Sequence, residues 1–311
     1  MVSAASSCAI LMATYNGLAF IDEQLATIAA QAGVGRIDVH VSDDGSTDGT
    51  RDRLADWARW WTRGAFVVVS GPAQGFAENF RSMMAGVATD ADYVAFSDQD
   101  DIWDPEKLAA AIALLASEGE ARPAAYFSRT RTVDALGMET GTSPLFARPP
   151  DFRNAIVQSI GGGNTAVFNR RAFALLGEAA RRTTFVTHDW WSYIIVSAAG
   201  GRVIYDPVPH IGYRQHGANL IGTNTGWGAR LLRVRELLRG RFAGWTERNL
   251  ASLKLCDDLI TTETKAVLAA LEAVRSARGL TAVRLLRQSG IYRQTRPGSL
   301  ALVLAAFLGK I

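Results

Sequence analysis

Residues 93–101 read Tyr93-Val94-Ala95-Phe96-Ser97-Asp98-Gln99-Asp100-Asp101. An aromatic and β-branched run passes without a spacer into three carboxylates, which predicts a buried strand ending at a polar site. Pro105 follows, and proline suits the first turn of a helix, so a helix is expected to open there. Toward the N-terminus the same unit recurs. Cys8–Thr14 (CAILMAT) is an expected strand stopped by Tyr15-Asn16-Gly17, after which Ile21, Leu25, Ile28 and Ala29 share one helical face. Ile37–Ser42 is halted by Asp43-Asp44-Gly45-Ser46, and Thr47 or Asp48 is placed to cap the next helix. Phe66–Ser70 leads through Gly71, Pro72 and Gly75 into a helix over Phe76–Val87.

Four consecutive strand–helix units need parallel strands with helical crossovers, so the expected class is α/β with a mostly parallel, doubly wound sheet. Ligands on such sheets bind beyond the carboxyl ends of the strands. Those ends carry Thr14–Gly17, Asp43–Ser46, Gly71–Gly75 and Asp98–Asp101, and three of the four are more polar than a packed core requires. From about residue 124 the pattern is mixed. Strands are expected at Ala124–Arg129 and Thr165–Asn169, a glycine turn at Gly161–Gly163, a helix around His188–Trp191, and extended chain from Arg202 to Arg214. Beyond Gly222 the chain reads as helix, with Leu253, Cys256, Ile260, Val267, Leu271 and Val274 forming an apolar seam.

The 311 residues fit two domains, or one large domain with an appendage. Apolar residues at 48% and charged ones at 20% exclude wholesale disorder. Two distant cysteines, Cys8 and Cys256, exclude a disulfide scaffold and a four-cysteine zinc knuckle. The N-terminus lacks a charged segment followed by an apolar one, and no run approaches the roughly 18 apolar residues of a membrane span. A cytoplasmic protein is expected, either soluble or peripheral at the inner face of the plasma membrane. The net charge of +3 divides unevenly: residues 222–311 hold 15 Lys/Arg against 6 Asp/Glu, and residues 1–221 hold 18 against 24. The acidic part suggests carboxylates gathered for a cation, and the basic part suggests a polyanionic partner.

Asp98, Asp100 and Asp101 repel unless a proton or divalent cation sits among them. Such oxygen donors suit Mg2+ or Mn2+, with open positions for a substrate phosphate; the alternative is a solvated acidic turn before the next helix. Asp43–Gly49 superficially matches a calcium loop, yet the position for a bidentate Glu holds Leu54 or Ala55. The first strand leads to Thr-Tyr-Asn-Gly instead of G-x-G-x-x-G, and no G-x-x-x-x-G-K-[ST] occurs, which argues against a dehydrogenase and a P-loop NTPase. His40, His188, His210 and His216 make no H-E-x-x-H pair for zinc hydrolysis.

The order Ala13-Thr14-Tyr15-Asn16-Gly17, Asp43-Asp44-Gly45-Ser46-Thr47-Asp48 and Ser97-Asp98-Gln99-Asp100-Asp101-Ile102-Trp103 resembles family 2 glycosyltransferases of GT-A fold. The later His188-Asp189-Trp190-Trp191 and Tyr213-Arg214-Gln215-His216-Gly217 resemble the branch containing bacterial rhamnosyltransferases. The likeness spans roughly residues 8–220. It implies a GT-A catalytic domain over 1–221, its nucleotide-sugar part about 1–125 and its acceptor part about 126–221, followed by a basic helical region over 222–311.

By that resemblance Thr14, Tyr15 and Asn16 line the nucleotide pocket, Asp44 contacts the base, and Asp98-Gln99-Asp100 is the D-x-D element holding metal and donor diphosphate. Asp189 matches the base that deprotonates the acceptor hydroxyl, with inversion at the anomeric carbon. His216 is either a further metal or diphosphate ligand or a structural histidine, and His188 a positioning or helix-start residue. Trp103, Trp190 and Trp191 either stack on sugars or belong to the core of a chain with eight tryptophans. Gly161–Asn164, with Gly163 and Asn164 central, form either a wall of the acceptor pocket or a plain turn.

The implied reaction moves L-rhamnose from dTDP-L-rhamnose to a glycan or lipid-linked oligosaccharide in bacterial surface polysaccharide synthesis. Transfer of a hexose or galactofuranose from a UDP-sugar is the alternative within the family. An inactive nucleotide-sugar-binding module and a nucleotidyltransferase are the competing classes. The first conflicts with the presence of Asp44, Asp100 and Asp189, the second with the lack of a Gly/Lys/Arg-rich phosphate loop. In the tail, six arginines from Arg275 to Arg296 precede Leu300–Leu308 (LALVLAAFL). Nine helical residues span about 14 Å, too short for a ~30 Å bilayer core. This run is expected either to lie on an anionic membrane surface or to pack on the protein or a second subunit as a homodimer through the C-terminal helices. Nucleic acid is not expected, because the arginines adjoin aliphatic residues instead of stacking aromatics.

Overall fold

The computed structural model describes residues 6–216 and 241–311. Gly217, the expected boundary at 221/222 and the helical reading of 222–240 lie outside the described residues. The four expected strands are β1 (Ser7–Thr14), β2 (Arg36–Asp43), β3 (Phe66–Ser70) and β4 (Tyr93–Ser97), separated by α1 (Ile21–Ala29), α2 (Thr50–Trp60) and α3 (Phe76–Gly86). They pair in parallel in the order β3-β2-β1-β4. Register places Thr14 beside Asp43, Asp43 beside Ser70, and Met12 beside Ser97, so all four polar loops leave one edge of the sheet.

Two starts differ from expectation. α2 begins at Thr50, after Gly49 at φ 94°, because the Asp48 carboxylate accepts from the Thr50 amide and holds the preceding residues in a turn. Pro105 precedes its helix, α4 (Lys107–Ser117): a two-residue strand, β5 (Ile102–Trp103), intervenes, and the Lys107 amide donates to Asp104 O to form a turn.

The mixed second half supplies β6 (Ala124–Ser128), β7 (Arg131–Val133), β8 (Glu139–Thr142), α5 (Phe152–Ala155), β9 (Val167–Asn169), α6 (Arg170–Arg182), α7 (His188–Ala198), β10 (Arg202–Asp206) and β11 (Ile211–Arg214). The main sheet reads β10-β6-β9-β4-β1-β2-β3, with β9 alone antiparallel to its neighbours. A smaller sheet, β5-β11-β7-β8, stands beside it. Side chains alternate across β1: Ala9 and Leu11 join one apolar cluster, and Cys8, Ile10 and Met12 join the other. Burial on both faces is what a helix-covered parallel sheet requires.

The C-terminal chain forms α8 (Arg241–Lys254), α9 (Thr262–Ser276), α10 (Gly279–Ser289) and α11 (Arg296–Leu308). The expected seam runs across two helices, since a 3-10 turn at Asp257–Leu259 breaks it and Thr261 caps α9. All six seam residues nevertheless enter the same apolar cluster as α3, α6 and α7.

Candidate active site

Two polar constellations occupy the carboxyl edge of the sheet. The first joins the ends of β1, β2 and β4. Thr14 Oγ1 donates to Asp43 Oδ2 at 3.0 Å, and Asp43 also accepts from the Ser46 amide. Asn16 sits at φ 49°, a left-handed conformation that asparagine tolerates. Its amide donates to Ser46 Oγ, and its Oδ1 accepts from the Thr47 amide. Gln99 clamps Tyr15 with two bonds: Oε1 accepts from the Tyr15 amide at 2.8 Å, and Nε2 donates to the Tyr15 carbonyl at 3.0 Å. The clamp needs Gly17, where a Cβ would stand 2.3 Å from Gln99 Oε1. The Tyr15 side chain is left exposed beside this scaffold.

Asp44 is turned to the third loop. Its two carboxylate oxygens accept from the Ala73 and Gly75 amides at 2.7 and 2.8 Å, and both residues have positive φ. Asp44 therefore shapes the Gly71–Gly75 loop; each oxygen retains a lone pair for a ligand donor.

The second constellation gathers Asp98, Asp100, Asp101, Asp189 and His216. Asp98 is pushed up to about 7, first by burial and then by the charges of Asp100 and Asp189. Asp100 Oδ2 lies 2.7 Å from His216 Nε2. Asp101 is fully buried and acts as a post: it accepts from Asn164 Nδ2 at 2.6 Å and from the Arg214 amide at 3.2 Å. Burial and neighbouring carboxylates raise its affinity for a proton. The buried Arg214 guanidinium donates to the Asp100 carbonyl and pairs with Glu23, tying β11 and α1 to the acidic loop. Among the described residues, no three His, Cys, Asp or Glu side chains form a ready metal cage. Two or three donors at an open edge instead match an ion completing its shell with water and phosphate.

Asp189 lies in the first turn of α7 and accepts from Ser159 Oγ at 3.4 Å. It lines a cleft of about 270 Å³ with Ser159, Gly161, Gly162, Phe146 and Tyr205. Asp189 thus borders this cleft and also lies close enough to Asp98 for its charge to act on that carboxyl.

Other expected contacts resolve to internal packing. Trp103 and Trp191 are fully buried and Trp190 nearly so; Lys107 Nζ covers the Trp103 ring at 3.4 Å, Phe185 stacks with Trp191, and Trp190 Nε1 donates to Ala155 O. None of the three offers a ring face to a sugar, which corrects the stacking alternative in favour of core. Gly163 and Asn164 lie in a buried 3-10 turn, so the turn reading applies to them, and Gly161 and Gly162 are the residues that face the cleft. His188 is buried, stacked on Phe80 at 3.7 Å between ring centroids, and pushed down to about 4 by desolvation. It is a neutral, packed residue next to Asp189 in the chain.

Gly163 is close-packed on His188, where a Cβ would stand 1.9 Å from Nε2. Gly163→Ala is expected to destabilise the fold by about 1–3 kcal/mol by driving His188 off Phe80. Thermal unfolding checks this; a melting temperature equal to wild type would contradict the packing described. Sequence reasoning missed Asp101 and Asn164 as a buried pair, Ser159 as a partner of Asp189, and Glu23. Asp101, Asn164 and Arg214 each carried a signal through a motif, but the sequence did not pair them, and Ser159 and Glu23 carried none.

Comparison with known proteins bears on the family and the fold. The profile of Glycosyl transferase family 2 matches residues 9–176. The dTDP-rhamnosyl transferase RfbG of Shigella flexneri is 28% identical over 262 residues, covering 79% of this chain and 85% of that protein. Among solved structures, S. aureus TarS with UDP-GlcNAc superposes with a TM-score of 0.55 at 14% identity, covering 98% of this chain and 89% of the other. The mannosyltransferase PcManGT from Pyrobaculum calidifontis, solved with GDP-Man and Mn2+, gives 0.52 at 20% identity, covering 98% and 88%. The last two show a shared fold. With a family profile spanning more than half of its length, this chain belongs to glycosyl transferase family 2.

Proposed function

We propose that this glycosyltransferase moves L-rhamnose from dTDP-L-rhamnose onto a glycan or lipid-linked oligosaccharide, with inversion and with a divalent cation. The observation that carries the mechanism is the single edge shared by Asp98, Asp100 and Asp189. The 28% relative supports the donor, whereas the structures solved with UDP- and GDP-sugars support the fold. A UDP-sugar-dependent hexosyl or galactofuranosyl transfer is the reading to be distinguished.

In this scheme the Thr14–Asn16 segment and Asp44 border the nucleoside, and Gln99 fixes Tyr15 beside it. Asp98 and Asp100, with His216, are the donors for Mg2+ or Mn2+. The raised proton affinity of Asp98 comes first from burial and then from the charges of Asp100 and Asp189, and a cation would relieve that second, repulsive part. The ion would supply Lewis-acid neutralisation of the departing diphosphate. Asp189 takes the acceptor hydroxyl proton as that oxygen attacks the anomeric carbon; the C–O bond to the diphosphate breaks, and a β-linked donor gives an α-linked product. Ser159, Gly161 and Gly162 shape the acceptor side of the cleft. NMR assignment of the product anomer tests inversion, and a retained configuration would contradict a single-base mechanism.

A pH dependence follows from Asp98. Below about 7 its carboxyl holds a proton that a cation must displace. Mn2+ affinity is expected to rise up to roughly tenfold per pH unit below 7 and to flatten above it. Stability of the metal-free protein carries the opposite sign. The unfolded carboxyl ionises near 3.8 and the folded one near 7, so this group's contribution is lost as pH rises through that window. Calorimetric Mn2+ titrations at several pH values check the first statement; affinity independent of pH would contradict it.

A further inference from the structure

α11 is apolar on two sides. Leu302, Ala305 and Ala306 are buried in the protein, while Leu300, Leu304, Phe307 and Leu308 are exposed, Leu300 by 70%. Leu300, Leu304 and Leu308 recur at four-residue spacing, which is one stripe of a helix. α10 meets the same stripe: a Cβ on Gly279 would lie 4.0 Å from Phe307, and the adjacent Leu280 is 80% exposed. Leu280 shares its helical face with Arg284 and Arg287, both exposed. Arg278 donates to Gly309 O at the end of α11, and Arg296 opens that helix. Residues 273–311 contain six Arg, one Lys and no Asp or Glu.

A contiguous exposed apolar face marks a contact surface, and here charge selects the partner. A second copy would set the same cations against these with no acidic residue from this segment to pair them. The patch is aliphatic with one aromatic ring, unlike the stacked aromatics of a single-strand nucleic-acid platform. Acyl chains suit the leucines and Phe307, and anionic headgroups suit the arginines. No described helix is long and apolar enough to cross a membrane, so the fit is to its surface.

We propose that the α10–α11 face docks on an anionic lipid bilayer. Leu280, Leu300, Leu304, Phe307 and Leu308 enter the headgroup boundary, and the flanking arginines meet lipid phosphates. The segment leading into α11 also holds the chain leaving the cleft. Gln294 Oε1 accepts from the Arg148 amide at 3.1 Å, and Tyr292 OH donates to Pro149 O at 2.6 Å, two to five residues beyond Pro144 and Phe146 of the cleft wall. Docking would thus hold that wall near the bilayer, as a lipid-linked acceptor requires. The docking itself stands on the patch and not on the donor assignment.

The test is co-sedimentation of the full chain with phosphatidylcholine vesicles containing rising fractions of phosphatidylglycerol. Binding is expected to grow with the anionic fraction and to fall with salt. Leu304→Ser with Phe307→Ser, and separately Arg284→Glu with Arg287→Glu, should each weaken it at least about tenfold. These side chains are exposed, so melting temperatures and nucleotide release from donor should match wild type. If the apolar pair lowers the melting temperature, the arginine pair alone decides. Wild-type protein left in solution at every composition, or variants that sediment like wild type, would overturn the proposal. So would a lipid-free dimer that the apolar pair dissociates, or DNA binding that replaces vesicle binding. Inactivity toward every nucleotide-sugar would overturn the enzymatic reading and leave the docking result intact.

Discussion

Asp189→Asn should lower turnover by at least about 10²-fold while nucleotide-sugar binding stays near wild type. The substitution keeps the side chain's size and its ability to accept from Ser159 Oγ, and α7 keeps its first turn. In the proposed mechanism it removes the oxygen that takes the acceptor proton. Asp189 borders the cleft proposed for the acceptor, whereas the proposed nucleotide pocket is built from the ends of β1, β2 and β4. The loss should therefore fall on kcat and leave donor KM little changed. Steady-state kinetics with a saturating donor check this. Wild-type turnover in the variant would require another base, and a parallel loss of donor binding would mean that Asp189 holds the pocket together.

Removal of the cation should have an effect of the same order or larger. EDTA is expected to abolish transfer, Mn2+ or Mg2+ to restore it, and Asp100→Ala to lower it by roughly 10³-fold, the scale of several kcal/mol of transition-state charge stabilisation. Asp100 meets His216 and lies outside both apolar clusters, so its truncation should leave the melting temperature close to wild type. The deficit should not be recovered by added Mn2+. Full turnover of the purified protein in chelator would remove the cation from the mechanism.

The fold was legible where a local signal and its tertiary use coincide. In β1, β2 and β4 the apolar runs end on polar turns and the parallel sheet buries both faces of them, while β3, with the same pattern, is the more exposed edge strand. β9 was legible as a strand but not in its direction, because pairing is decided by neighbours distant in sequence. The helix start at Thr50 moved because the Asp48 carboxylate satisfied its leading amide, and the start at Lys107 because a short strand and a backbone turn onto Asp104 precede it. Within the site, carboxylates at strand ends announced themselves by their cost. Asp101 did not separate from Asp98 and Asp100 in sequence, since its partners Asn164, 63 positions away, and Arg214, 113 away, are what show it to be a buried post. The tryptophans were ambiguous for the same reason: an indole beside an acidic motif has no local feature that separates a sugar platform from core.

The most direct measurement is nucleoside diphosphate release by the purified chain from dTDP-L-rhamnose and from UDP-hexose and UDP-galactofuranose donors, each with Mn2+ and with or without a glycan acceptor. Acceptor-stimulated release of dTDP from dTDP-L-rhamnose is expected, faster than release of UDP from the other donors and lost in Asp189→Asn and Asp100→Ala. Binding of these donors without release from any of them would contradict it and leave a nucleotide-sugar-binding module.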